Sequence, residues 1–130
     1  AIAHALSNYR GSGVHHIAFD CADIFREVAR AKEAGVPLLE IPLNYYDDLA
    51  ARFDFDDEFL SELAYYNVLY DRDAQGGEFF HVYTEPFEDR FFFEIIQRKG
   101  GYAGYGAANV AVRLAAMAKA RSGAARRPVL

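Results

Sequence analysis

The chain has one cysteine in 130 residues. An intrachain disulfide is therefore excluded, and Cys21 fits a reducing cytoplasm better than a cross-linked secreted scaffold. No apolar run approaches the roughly 20 residues that a membrane span needs, so a membrane is not an expected partner. The opening residues, AIAHALSNYR, lack a basic stretch followed by a long apolar one and do not read as a signal peptide. They also lack an initiator methionine, and the expectation is a chain that begins inside a longer gene product. Positive charge is short as well: 14 Lys and Arg against 19 Asp and Glu give a net charge of -5. Acidic residues concentrate between Glu33 and Glu88, while the basic excess sits at Lys119, Arg121, Arg126 and Arg127. Nucleic acid is accordingly not an expected partner.

What is present points to a packed core. Hydrophobic residues make up 52% and aromatics 15%, with 11 Phe and 9 Tyr, which argues against general disorder. A single domain of this length can bury roughly two thirds of its unfolded surface.

Along the chain, residues 1–10 read as a short helix broken at Gly11-Ser12-Gly13, followed by strand-like alternation from Val14 to Asp20. Val14, His16, Ala18 and Asp20 share one face; His15, Ile17 and Phe19 share the other, bulkier face, which is expected to pack on a helix layer. Asp23 offers an N-cap, Ile24, Val28 and Ala31 repeat at helical spacing, and Gly35 closes that helix. Pro37 to Pro42 is a short strand or extended segment, and two short helices follow near Tyr46–Phe53 and Asp57–Tyr65. Strands are expected at Asn67–Asp71, Glu78–Thr84 and Arg90–Arg98, separated by the turns DAQGG and EPFED. The Gly-rich connector GGYAGYG leads to a helix from about Asn109 with Val110, Leu114 and Met117 on one face. About five strands with helices on one face make a curved half-cup whose other face needs a cover.

If Thr84 pairs with Phe91 across the EPFED turn, His81 stands directly opposite Glu94, and both project from one face. With His16 from the first strand, two imidazoles and a carboxylate then occupy interior positions. Non-haem Fe(II) oxygenases use this donor set. On residues alone, a hydrogen-bonded core His16, an ordinary strand His81 and a Glu94 paired to Arg98 or Arg90 remain open. Glu94 is the most informative position, because a mid-strand carboxylate between Phe93 and Ile95 needs a partner or a metal.

The strings GSGVHHIAFDCADI, LNYYDDLAARF, NVLYDRDAQGG, HVYTEPFEDRFFFEIIQR and GYGAANV resemble, in order, successive motifs of the 4-hydroxyphenylpyruvate dioxygenase family. That family belongs to the vicinal-oxygen-chelate superfamily, whose cups pair βαβββ modules. The resemblance implies an α+β fold class: half of a glyoxalase- or dioxygenase-like cup, with a curved mixed sheet, helices on the convex face and a C-terminal helix. Residues 1–122 would form the second module and 123–130 a flexible tail. It also implies that His16, in the GVxHIA motif, and Glu94, in FFEIIQR, are ligands to Fe(II) or another divalent metal. The third protein ligand of the family lies in the preceding module. His15 falls at a non-ligand position and, by strand parity, points to the helix side. In the family a 2-oxo acid chelates the metal, dioxygen takes an open position, and the substrate is decarboxylated and ring-hydroxylated.

Several positions depart from the family pattern. His81 stands where the family has Gln, Tyr83 and Tyr105 where it has Phe, and Val110 where a Phe stacks on the substrate ring. His81, Tyr83, Tyr105, Asn109 and Val110 are the candidate substrate contacts or supports. The altered pocket resembles the dioxygenase-like domain of bacterial fusion proteins, in which a sugar-phosphate-isomerase-like barrel with 3-dehydroshikimate dehydratase activity precedes it. The alternatives are a genuine Fe(II) dioxygenase acting on a 2-oxo acid and a small homodimeric binding module of the superfamily. Expected partners are the N-terminal half of the same polypeptide or a second copy, with homo-oligomeric assembly, and a 2-oxo acid or related ligand.

Overall fold

The computed structural model describes residues 15–88 and 90–126, with side chains up to position 122. The expected helix over 1–10, the turn after it, Val14 and residues 127–130 lie outside that range. The element order is β1 (His16–Asp20), α1 (Ile24–Glu33), α2 (Leu43–Arg52), α3 (Asp57–Tyr65), β2 (Leu69–Arg72), β3 (Glu78–Tyr83) and β4 (Phe92–Lys99). A 3-10 turn, Ala107–Asn109, then leads into α4 (Val110–Arg126). Four strands pair in the order β1-β4-β3-β2. β1 runs parallel to β4, and the other pairs are antiparallel. The fifth expected strand, between Pro37 and Pro42, is reduced to one bridge from Leu38 to Thr84. Prolines at both ends lack the amide hydrogens a longer ladder would need.

Local chemistry sets the helix limits. Asp23 accepts from the Arg26 amide at the start of α1, and Gly35 takes φ +79° beyond its end, a conformation glycine adopts at little cost. β4 supplies a second cap that the pattern does not reveal. Gln97 Oε1 accepts from the Ile24 amide at 2.9 Å, while Gln97 Nε2 donates to the Ala22 carbonyl at 2.8 Å. Asp56 caps α3 through the Phe59 amide at 2.7 Å.

The core lies between the sheet and the first three helices. Tyr70, Phe80, Val82 and Ile95 alternate onto one sheet face and join a cluster with Ile24, Val28, Leu49 and Leu63. Phe53 and Phe55 meet Tyr70 edge-on, and Phe59 meets Phe80. Fully burying an aliphatic side chain of this kind contributes about 1.5–3 kcal/mol.

Two packing expectations are corrected here. Ile17 and Phe19 do not lie under a helix layer: they are 42% and 54% exposed, because β1 is the sheet edge and α1 packs on β3 and β4. The buried face of α4 carries Arg113, Ala116 and Met117, whereas Val110 and Leu114 are partly exposed. Asn109, Arg113 and Met117 recur at helical spacing, so the inward face is rotated by one position and is part polar.

Candidate metal and ligand site

Glu94 lies mid-way along β4 and is 6% exposed. A carboxylate so placed costs several kcal/mol unless partnered. Its partners are two imidazoles: His81 Nδ1 is 3.0 Å from Glu94 Oε2, and His16 Nε2 is 3.7 Å from Glu94 Oε1. Each carboxylate oxygen therefore faces a different histidine.

The register that brings them together differs from the expected one. Thr84 donates its amide hydrogen to the Phe93 carbonyl, and Phe91 bridges to Phe87. Glu94 consequently faces Tyr83, and His81 faces Ile96. His81 and Glu94 are diagonal neighbours on one sheet face, still within reach of an imidazole. On the other side of β4, the parallel ladder sets Ala18 beside Glu94 and His16 beside Phe92. The His16 ring stacks on Phe92 at 5.1 Å and stays substantially solvent-accessible.

The chain after β4 returns over this face and supplies the rest of the site. Asn109 is 1% exposed; its amide nitrogen donates to the Tyr70 carbonyl at 3.0 Å and to His81 Nε2 at 2.9 Å. The carbonyl of Tyr70 fixes which end of the amide is the donor, since the flipped amide would set oxygen against oxygen. His81 Nε2 must then accept, which leaves the hydrogen on Nδ1, directed at Glu94. The Asn109 oxygen accepts from the Tyr45 hydroxyl at 2.9 Å. Gly106, at φ +70°, permits this approach: a Cβ there would meet His81 Nε2 at 2.9 Å.

Tyr83 completes the polar cluster, its hydroxyl 3.1 Å from His81 Nδ1. Burial, reinforced by the Glu94 charge, holds the Tyr83 phenol well above the usual tyrosine range, so it stays protonated at neutral pH.

His16, Glu94, His81, Tyr83 and Asn109 are thus gathered on one face. Tyr105 is not among them: it is 83% exposed and rests on the Arg98 guanidinium at 5.4 Å. Val110, at the first turn of α4, is 38% exposed. His15 departs from strand parity because it precedes β1. Its ring lies 5.1 Å from Phe92, on the His16 side, and its Nδ1 is 2.9 Å from His16 Nδ1. Burial, with His16 and Arg113 nearby, lowers its pKa. Sequence reasoning missed Arg113, which is 8% exposed with its guanidinium 5.2 Å from the Phe92 ring and 5.7 Å from the Tyr83 ring. Its one available signal was its position four residues after Asn109.

Residues 2–63 match the Glyoxalase/Bleomycin resistance protein/Dioxygenase superfamily. The chain is a domain of that superfamily, with the open curled sheet and C-terminal helix described above. It is 95% identical over 130 residues to a 3-dehydroshikimate dehydratase of Pseudomonas putida, covering 100% of this chain and 20% of the relative. It is 36% identical over 110 residues to the 4-hydroxyphenylpyruvate dioxygenase of Legionella pneumophila strain Corby, covering 83% of this chain and 31% of that protein. A solved structure titled a xylose isomerase-like TIM barrel/4-hydroxyphenylpyruvate dioxygenase fusion protein superposes with a TM-score of 0.84 at 95% identity. That superposition covers 92% of this chain and 19% of the other. The chain therefore spans about a fifth of the length of the dehydratase it matches.

Proposed function

We propose that this domain is a metal-holding half-cup, similar to 4-hydroxyphenylpyruvate dioxygenase, within a larger 3-dehydroshikimate dehydratase fusion, and that its ligand pocket has diverged. The observation that carries the reading is the division of labour at Glu94. One oxygen is fixed by His81; the other is left facing His16 Nε2 at 3.7 Å. An ion about 2 Å from each donor can bridge such a gap, and an imidazole with a carboxylate suits Fe(II) or another divalent cation. Among the described residues no three His, Cys, Asp or Glu side chains form a metal-holding group. A further protein ligand would come from the preceding half of the same polypeptide, or from a second copy. When bound, such a metal polarises oxygen ligands and offers open positions to a substrate.

The chain's own residues would prepare that centre. His81 would hold the Glu94 carboxylate in one orientation, as a hydrogen-bonded support does for a metal ligand. Asn109 would hold the His81 tautomer, and Tyr83 would keep a neutral hydroxyl beside both. Val110 and Tyr105 offer no buried aromatic stack for a substrate ring, which favours a ligand other than hydroxyphenylpyruvate.

The test uses the full-length protein that carries this chain. Glu94→Gln is expected to lower bound divalent metal to background while dehydration of 3-dehydroshikimate persists. Full metal retention in that variant would remove the proposal. Oxygen consumption with hydroxyphenylpyruvate, lost in Glu94→Gln, would instead establish a dioxygenase.

A further inference from the structure

Two opposite charges are buried in this domain with no direct ion pair between them. Arg113, on the inward face of α4, is 8% exposed, and Glu94, mid-way along β4, is 6% exposed. Glu94 pairs with His16 and His81, and the guanidinium reaches it through a third group. That group is the Tyr83 hydroxyl, hydrogen-bonded to Arg113 on one side and to Glu94 on the other. The ladder places it there, because Tyr83 is the strand partner of Glu94. The guanidinium lies 5.7 Å from the Tyr83 ring and 5.2 Å from the Phe92 ring. Donor chemistry gives the relay its direction. A guanidinium only donates and a carboxylate only accepts, so the phenol accepts from Arg113 and gives its own hydrogen to Glu94. Away from solvent such charge-assisted bonds are strong, and a fixed charge is felt beyond its contacts. A Phe at position 83, as in the family this chain resembles, has no hydroxyl and could not make the link.

We propose that Arg113 is the resident counter-charge of Glu94, delivered through Tyr83, and that it sets how tightly this site holds a divalent cation. A cation entering between Glu94 Oε1 and His16 Nε2 meets a carboxylate already partly compensated, and a fixed positive charge close by. Arg113 therefore weakens the site. It acts through Tyr83 and Glu94, and so tunes metal affinity without being a ligand. The proposal rests on the metal reading above.

The experiment measures manganese binding to the full-length protein that carries this chain, by equilibrium dialysis. Only the metal that Glu94→Gln loses is counted, so that any other site in the longer polypeptide drops out. In Arg113→Met, affinity at the Glu94-dependent site should rise by about tenfold or more. Arg113→Gln, which can still donate to Tyr83, should show the same gain, because the charge opposes the cation and the hydrogen bond does not. Arg113→Lys keeps the charge and should stay within about threefold of the wild type. A merely structural arginine predicts the reverse, since damage to a site lowers its affinity. Unchanged or weaker manganese binding in either neutral variant that folds would overturn the proposal, as would an equal gain in Arg113→Lys. Failure of both neutral variants to fold, seen as lost ellipticity, would also overturn it and assign Arg113 to the scaffold. Glu94-dependent manganese in the wild type with no gain in the neutral variants sinks this inference alone. No such manganese in any of these proteins sinks the metal reading with it.

Discussion

His81 Nδ1 sits 3.0 Å from Glu94 Oε2 although the two residues are not opposite each other in the β3–β4 ladder. The contact is made across a diagonal, and it holds because Asn109 fixes the far side of the imidazole at 2.9 Å. Asn109 also bridges Tyr45 and the Tyr70 carbonyl. Asn109→Ala should therefore leave several buried groups short of a partner. The expected loss is about 1–3 kcal/mol of stability, read from urea unfolding. Metal affinity should drop by about tenfold or more through the loosened His81–Glu94 pair. A variant as stable as the wild type would show that the network contributes nothing net.

Gly106 gives a second test of the same cluster. At φ +70°, a Cβ would lie 2.9 Å from His81 Cε1, His81 Nε2 and Phe79 Cε2. Both the backbone and the space oppose a side chain. Gly106→Ala is expected to cost more than about 1 kcal/mol. Differential scanning calorimetry should show the lowered Tm, and unchanged melting would count against the close approach.

Alkaline pH should undo the Tyr45 plug. Burial pushes the Tyr45 phenol up to about 12, against about 10 for a free tyrosine. The folded state holds this proton more tightly than the unfolded state does. Its stabilising effect is therefore complete below about pH 10 and is lost as pH rises towards about 12. Tyrosinate absorbance and loss of ellipticity should rise together in that window. Tyr45→Phe should weaken the fold at neutral pH and flatten its response to alkali. Full ionisation of the tyrosines without loss of ellipticity would contradict the assignment.

Much of this arrangement was legible in the order of residues, and the exceptions have identifiable causes. Asp23, Gly35 and the aliphatic repeat between them mark α1 because caps and periodicity act locally. The β3–β4 register was not legible. Phe91 is taken by Phe87 within the turn, with Glu88 in a left-handed conformation at φ 53°, and the partner of Thr84 moves to Phe93. Such a shift depends on turn geometry that the alternation of side chains does not encode. The inward face of α4 was misjudged for another reason: a hydrophobic pattern seeks Val110 and Leu114, whereas the buried positions hold Asn109 and Arg113. Polar groups on an inward face are what a binding site requires, and a rule written for cores passes over them. Gln97 was likewise invisible, since its capping of Ile24 joins residues far apart in the chain.

The two borders of the sheet are not equivalent. On the β2 border, the Tyr45 hydroxyl accepts from the main-chain N–H of Tyr70 at 2.9 Å, and the Asn109 amide nitrogen donates to the Tyr70 carbonyl at 3.0 Å. An incoming strand would find that margin already saturated at its centre. On the β1 border every residue of the strand is exposed, Ile17 and Phe19 among them. Among the described residues, then, a phenol closes one border of the sheet, while the other keeps its side chains in contact with solvent.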